Sequence, residues 1–494
     1  MKANLLKKFD FGNEAGDDVD LEELTSYFVE QESFNSYLDK RKKFLVATAK
    51  KGVGKSALIQ WNYYKINKTS PADIVIKCRG ADLTRDSFGL ISKIETPNEY
   101  IRDWMIRICA LINRELAKRI GFAITDDKIT LVESAELNGY KSRNIVGCLI
   151  DRFEKILGTG TSTKQSIKDE IEILKRAKDI NVWILIDDLD ATFQNSKQEC
   201  LSMSTFFSAC RYIIQDIKGV RLRVSMRSDV WPVIRRFDES LDKMEQYVNE
   251  ITWEIEDFRR LLYLRVKSQC EGSDAIFPIR YKQEQDDEFE ERVIALIFVP
   301  KMPWGEKEVF TYKIIYTLSY HRPRWAIQLC KIAQKNAVKS NSKQIRKGDI
   351  DAVWGEYGKK RISDLVSEHK HQCREVEELI TAFRGADRLL TREELMSWVN
   401  SHIVSHLNTY IEGNLVNSPL EIAHFLYRIG FIVARSDDGD GGYEHYHFHE
   451  MPDFLSARTN QDFNLKWEIH PCYRQALDIK KLDKFQRIKR GLHK

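Results

Sequence analysis

Phe44-Leu45-Val46-Ala47-Thr48-Ala49-Lys50-Lys51-Gly52-Val53-Gly54-Lys55-Ser56-Ala57-Leu58 runs from apolar residues through a turn of small ones into Lys-Ser and a helical pattern. Strand, glycine-bearing turn, helix N-terminus is the order of a phosphate-binding loop. Backbone amides of such a turn point inward and form an anion nest, and the first turn of the next helix adds unpaired N–H groups and the positive end of its dipole. The stretch Ala49, Lys50, Lys51, Gly52, Val53, Gly54, Lys55, Ser56, Ala57 is therefore expected to cradle a triphosphate. Lys55 supplies a cation to the terminal phosphates and Ser56 a hydroxyl to Mg²⁺. Ala49 departs from the pattern, which has glycine there. Alanine serves if that position needs no positive φ.

Working outward, Val182-Trp183-Ile184-Leu185-Ile186 reads as a strand buried on both faces, as in a parallel sheet, and it ends in Asp187-Asp188-Leu189-Asp190. Ligands of parallel α/β sheets lie just past such strand ends. Asp187 is placed to hold Mg²⁺, and Asp188 to orient or deprotonate an attacking water. An acidic turn after a strand is common by itself; together with Lys55-Ser56 it reads as a site. Further strands are expected at Asp73–Cys78 and at Val220–Met226, the latter running into Arg227-Ser228-Asp229. Arg227 at the strand end is either a γ-phosphate sensor or the ion-pair partner of Asp229 or Asp188.

The set Lys51–Ala57, Ile184–Asp190 and Met226–Asp229 resembles bacterial P-loop ATPases of the STAND/AAA+-like type, relatives of origin-recognition, KAP-type and defence-associated ATPases. The resemblance implies an α/β fold: a RecA-like P-loop NTPase core with a parallel sheet, followed by a helical lid and a C-terminal winged-helix domain. It implies ATP and Mg²⁺ as cofactors and Mg²⁺-dependent ATP hydrolysis. Lys55 and Ser56 then match the Walker A positions, Asp187 and Asp188 the Walker B pair, and Arg227 a sensor. Lys55, Asp188 and Arg227 are the catalytic candidates, Ser56 and Asp187 the metal ligands. The biology that it implies is a switch in antiphage defence or genome maintenance. Two alternatives stay open: a DNA-binding initiator or loader, and a non-hydrolysing scaffold that restrains an effector.

The domains expected are an N-terminal arm (1–43), the NTPase core (44–230), the lid (231–370) and a winged-helix-like domain with a basic tail (371–494). Pro97–Ile120 forms a long amphipathic helix whose stripe of Trp104, Ile108 and Leu111 reads as core. Residues Gly158–Thr163 read as a flexible loop. In the lid, Pro323 suits a first helical position. Arg322 or Arg324 then either reaches the nucleotide or solvates a helix end; Arg324 is carried as the nucleotide-binding candidate. Arg235 and Arg236 are candidate fingers in trans in a ring. Thr391–Glu394 and Ser418–Glu421 are capping boxes, and Asp438–Gly442 is a hairpin turn. The helix Pro419–Ile429 has Arg428 as its one cation, too few for a major-groove reader. Phosphate contacts are assigned instead to the basic tail Lys480–Lys494 and, in the lid, to the Lys331–Lys347 face, which otherwise reads as solvated. His445, His447 and His449 have strand spacing and read as structural rather than metal-binding.

Composition sets the outer bounds. The chain has 494 residues, 43% hydrophobic and 31% charged, with 78 basic against 74 acidic side chains. That fits a globular protein of several domains, and the net charge of +4 does not by itself imply nucleic acid. No apolar run is long enough for a membrane span, so no membrane partner and a cytoplasmic location are expected. Nine scattered cysteines argue for reduced, buried thiols. A homo-oligomer or an effector protein is the expected partner.

Overall fold

The computed structural model describes residues 2–16, 18–71, 73–84, 96–120, 182–191, 193, 195–216, 219–270, 287–305, 307–437, 443–456, 462, 464–480. The expected Gly158–Thr163 loop, the Asp438–Gly442 turn and the basic tail beyond Lys480 lie outside them. The chain divides into two compact units. One is Asn13–Trp253; the other combines Met1–Gly12 with Glu254–Lys494.

The first unit is built on a five-stranded parallel sheet: β1 (Phe44–Ala49), β2 (Ile74–Arg79), β3 (Val182–Asp187), β4 (Val220–Arg227) and β5 (Val248–Glu250), in the order β2-β3-β4-β1-β5. The strands are apolar on both faces because both are covered. On one face Ile74, Ile76, Ile184, Ile186, Leu222, Val224, Phe44 and Val46 share a core with the helices Pro97–Ile120 and Lys197–Asp216. Trp104 is buried there as its spacing predicts, its indole donating to the carbonyl of Ser202 at 2.7 Å. On the other face Val75, Trp183 and Leu185 pack with Ile59 and Ile66 of the helix Lys55–Thr69.

An apolar strand also buries a charge. Arg223 of β4 is fully inaccessible, stacked 4.9 Å from the Trp183 ring. It donates to the carbonyls of Tyr37 (2.7 Å), Leu222 (2.9 Å), Asp39 (3.1 Å) and Lys42 (2.9 Å). Desolvation pushes its pKa down to about 9, and three of the four carbonyls it serves belong to the segment that leads into β1. Residues 37–42 are thereby tied to the sheet. The first 43 residues are not one arm: they split at Gly12. The helix Lys2–Lys8 and the residues after it belong to the other unit, where Gln334 donates to the carbonyls of Leu6 (2.8 Å) and Phe9 (2.5 Å), and Arg265 to that of Phe11 (2.5 Å).

The second unit is largely helical from Ile255 to His369: Ile255–Cys270, Asp287–Ile294, Thr311–Leu318, Pro323–Lys339 and Lys347–His369, interrupted by the hairpin β6 (Lys301–Trp304) and β7 (Lys307–Phe310). After the helix Val376–Thr381 come β8 (Leu389–Leu390), the helix Arg392–Val399, the hairpin β9 (Thr409–Ile411) and β10 (Asn414–Val416), the helix Pro419–Arg428, then β11 (Ile432–Asp437), β12 (Tyr443–Tyr446) and β13 (Lys466–Ile469). These last strands form an antiparallel sheet in the order β12-β11-β13-β8. Thr391 and Glu394 make a reciprocal capping box, and the Ser418 hydroxyl accepts from the Glu421 N–H. Glu468 of β13 is fully buried among Arg388, Arg435, Arg474 and His445, at 3.2, 3.0, 2.9 and 2.7 Å. Burial alone would raise its pKa; Arg474, His445 and Arg388 override that and hold the carboxyl well below the usual range.

Arg223→Met removes the donor from four buried or half-buried carbonyls. It is expected to cost roughly 3–5 kcal/mol in urea unfolding of the core. Trypsin should then cut first at Lys40–Lys43; unchanged stability and cleavage would show that the guanidinium does not hold this segment.

Candidate functional site

The C-terminal edge of the parallel sheet gathers the residues that the motifs single out. β1 ends at Ala49 and the turn Lys50–Gly54 leads into the helix beginning at Lys55. Gly52 and Gly54 have φ of 82° and 118°, in the left-handed region that favours glycine. Ala49 is different. It is the last residue of β1, paired with Arg227 in β4, and is not among the residues with positive φ. Its departure from the glycine pattern therefore carries no backbone cost. The Ser228 N–H donates to its carbonyl at 3.2 Å, which ties the start of the loop to the end of β4.

Lys55 is buried at the base of this loop. Its ammonium donates to the carbonyls of Ala49 at 3.2 Å and Lys50 at 3.5 Å. Those are modest partners for a buried cation, and phosphate oxygens at the same loop would replace them with charged ones. Ser56 and Ala57, in the first turn of the helix, are half-buried, and Lys51 is exposed.

The acidic pair lies two strands away on the same edge, with β4 between, so roughly 10 Å separates the ends of β1 and β3. Register puts Asp187 beside Arg79 on β2 and its neighbour Ile186 beside Val224 on β4. Ser225 orients the pair: its hydroxyl donates to Asp187 Oδ1 at 2.5 Å and accepts from the Asp188 N–H at 3.0 Å. The same N–H reaches Asp187 Oδ1 at 3.0 Å. Asp188 holds φ at 47°, a left-handed conformation for a residue with a Cβ, so the strand turns sharply between the two carboxylates. Gly80, just after β2, lies behind this turn. A Cβ there would stand 2.4 Å from Leu189 Cα and 2.7 Å from the Asp188 carbonyl oxygen.

Arg227 pairs with neither partner named from the sequence as its main contact. Its Nε donates to Asp190 Oδ2 at 2.6 Å and its backbone N–H to Asp190 Oδ1 at 3.1 Å, while Asp229 stands 3.9 Å away. Asp190, nearly inaccessible, thus fastens the end of β4 to the loop after β3. Sequence reasoning missed Asp190, Ser225 and Gly80. A lone serine inside the apolar run of β4, level with the acidic pair, was the available signal for the second.

In the other unit, Arg322 is buried and paired with Glu368 at 2.8 Å beneath Trp325, so it is an interior ion pair and not a mobile reader of a ligand. Arg324, half-buried, stands in the first turn of the helix Pro323–Lys339, with Pro323 at its first position. Arg235 is held by Asp242 (3.0 Å) and Glu245 (2.8 Å) of its own chain, which argues against a finger role for it. Lys335, Lys339, Lys343 and Arg346 are exposed. The three histidines do not converge: His445 bonds to Glu468, whereas His447 is buried against Tyr320 and His321. Among the described residues no cluster of metal-ligating side chains is found, and no helix is long and apolar enough to cross a membrane. Cys200, Cys210, Cys330, Cys373 and Cys472 are buried thiols outside any disulfide, and Cys78 and Cys270 are buried too.

The sheet, its left-handed glycine loop and the acidic strand end form an α/β core of P-loop fold, with a largely helical region after it. Residues 279–366 match the family described as the FunZ-associated C-terminal helical domain. Among solved structures, the chain is similar to a Walker-type ATPase of Pyrococcus abyssi, with 10% identity, 92% of this chain and 96% of that chain covered, and a TM-score of 0.38. It is also similar to the ORC2 protein of Aeropyrum pernix, solved as ADPNP–ADP complexes, with 10% identity, 92% and 91% covered, and a TM-score of 0.39. Comparison with curated proteins gives no match.

Gly80→Ala forces a methyl group against backbone on the far side of the acidic turn. It should lower the denaturation midpoint, by roughly 1–3 kcal/mol of stability. A variant as stable as the parent would show that this turn yields freely.

Proposed function

We propose that the chain is a Mg²⁺-dependent ATPase that works as a molecular switch of the STAND/AAA+ type. The observation that carries the reading is the single sheet edge on which a left-handed glycine loop with its buried lysine meets a carboxylate pair oriented by Ser225. The donor set suits a magnesium nucleotide: inward amides and the Lys55 ammonium for phosphate oxygens, the Ser56 hydroxyl and the Asp187 carboxylate for a hard cation. Mg²⁺, held by Ser56 and Asp187, would neutralise charge on the terminal phosphates. Lys55 exchanges its carbonyl partners for phosphate oxygens. Asp188, on the sharp turn after Asp187, orients the attacking water and accepts its proton. Arg227, fastened by Asp190, faces the developing charge from the end of the strand between the two motifs.

The regions after the core take the roles that the family resemblance implies. Residues 231–370 act as a lid, with Arg324 as its nucleotide contact, and 371–494 as a winged-helix-like domain whose contacts change with the nucleotide state. Antiphage defence or genome maintenance in the bacterial cytoplasm is the proposed setting, with a second copy or an effector protein as partner. A second reading, a DNA initiator or loader, is favoured by the exposed Lys335, Lys339, Lys343 and Arg346 face. It requires duplex binding that weakens with salt and strengthens with ATP.

Lys55→Ala should abolish binding of a fluorescent ATP analogue, and unaltered affinity would remove the loop from the site. Asp188→Asn should keep that affinity while slowing phosphate release by roughly 10²–10⁴-fold. Parental turnover in this variant would take Asp188 out of the chemistry; a parent chain that retains one nucleotide without turnover would instead make the protein a locked scaffold. Light scattering with and without ATP tests the switch, which predicts a nucleotide-dependent mass.

A further inference from the structure

We infer that Trp253 is a positioning residue of the phosphate loop, acting through the carbonyl of Val53. The inference rests on the reading of that loop as a nucleotide site. Trp253 lies outside every motif in the chain, yet the fold delivers it to the loop. β5 runs parallel to β1, with Val248 level with Val46 and Glu250 with Thr48. Past its end the Ile251 N–H still donates to the Thr48 carbonyl at 2.8 Å, so the segment after β5 stays bonded to the end of β1 before the loop. Gln31 fixes the next residue by donating to the Thr252 carbonyl at 3.0 Å. Trp253 is then 9% exposed, and its indole N–H donates to the Val53 carbonyl at 2.7 Å in a buried bond.

The consequence follows from peptide geometry. In a trans peptide the C=O and N–H of one unit point in opposite directions. A carbonyl of Val53 pinned outward on Trp253 therefore aims the Gly54 N–H the other way, towards the interior of the loop. Gly54, at φ 118°, has no Cβ to restrict its rotation, so an external anchor is what selects one orientation of that peptide. A loop whose amides already face the anion binds without the cost of turning them. The other side of the same turn is buttressed as well: a Cβ on Gly16 would stand 2.7 Å from Ala57 Cβ and 2.9 Å from Ala57 N.

Trp253→Phe keeps most of the ring and deletes the donor. Its affinity for a fluorescent ATP analogue should fall roughly two- to tenfold, the value of one buried hydrogen bond. KM for ATP should rise by a similar factor while kcat at saturation holds, because the residue orients the loop and does not touch the reacting atoms. Trp183→Phe is the control. That indole donates to Asp73 within the sheet core, so its loss should lower stability and leave affinity alone. Benzothienylalanine at position 253, isosteric with tryptophan but without the N–H, repeats the test where phenylalanine fails to fold. A parent chain that does not bind the analogue refutes the nucleotide site itself. A parent that binds, with both 253 variants matching it, overturns the role given to Trp253, as does an equal loss in the Trp183 control.

Discussion

Strand β4 holds the site together through its backbone pairing. It hydrogen-bonds on one side to the strand that opens the glycine loop and on the other to the strand that ends in the acidic pair. Each end of the site is then bonded to it once more: Ser228 to Ala49, Ser225 to Asp187 and Asp188, Arg227 to Asp190. A central strand fixed on both sides cannot slide without breaking both ladders. The spacing between loop and carboxylates is therefore set by main-chain geometry and not by the side chains that would do the chemistry. Side chains as short as serine and aspartate suffice because the sheet has already brought them within reach.

The same strand shows how the core treats charge. Lys55 and Arg223 are both buried cations, and both are satisfied by carbonyl oxygens. Their situations differ in kind. Arg223 has four carbonyl partners that converge on a planar group and use four of its five N–H donors. Lys55 has two, one of them at 3.5 Å, on a flexible stem. One cation is a permanent fastening for the segment before β1; the other keeps bonding capacity for an anion.

The core was legible because strands buried on both faces leave continuous apolar runs. Phe44–Ala47, Val182–Ile186 and Val220–Met226 stand out for that reason, as does the helix Pro97–Ile120 by its period. Each strand nevertheless ends one or two residues later than hydropathy implies, since backbone pairing continues into Asp187, Arg227 and Ala49. The loop and acidic pair were readable as local words. The residues that orient them were not: Ser225, Asp190 and Gly80 come from other strands or act through backbone contacts that leave no periodic trace. The burial of Arg223 left no trace in the sequence, because composition cannot show four carbonyls waiting opposite. The division at Gly12 was likewise hidden, as Phe9 and Phe11 look like the same arm as Phe28 and Phe34. In the C-terminal sheet β8 is two residues long, and β13 alternates over only four residues, Lys466-Trp467-Glu468-Ile469, too short a run to stand out.

That buried glutamate has a consequence for how the last sheet assembles. In a strand, a shift of pairing by one residue carries every side chain to the opposite face. Were β13 to dock one step out of place, Glu468 would leave its three guanidiniums for the apolar side, and Trp467 would be delivered among them. Both errors are costly at once, since Glu468 would be buried without its partners and the buried Arg474 would lose its carboxylate. The ion cluster thus works as a proofreading device for strand alignment: it tolerates one arrangement of β11 and β13 and penalises the neighbouring ones.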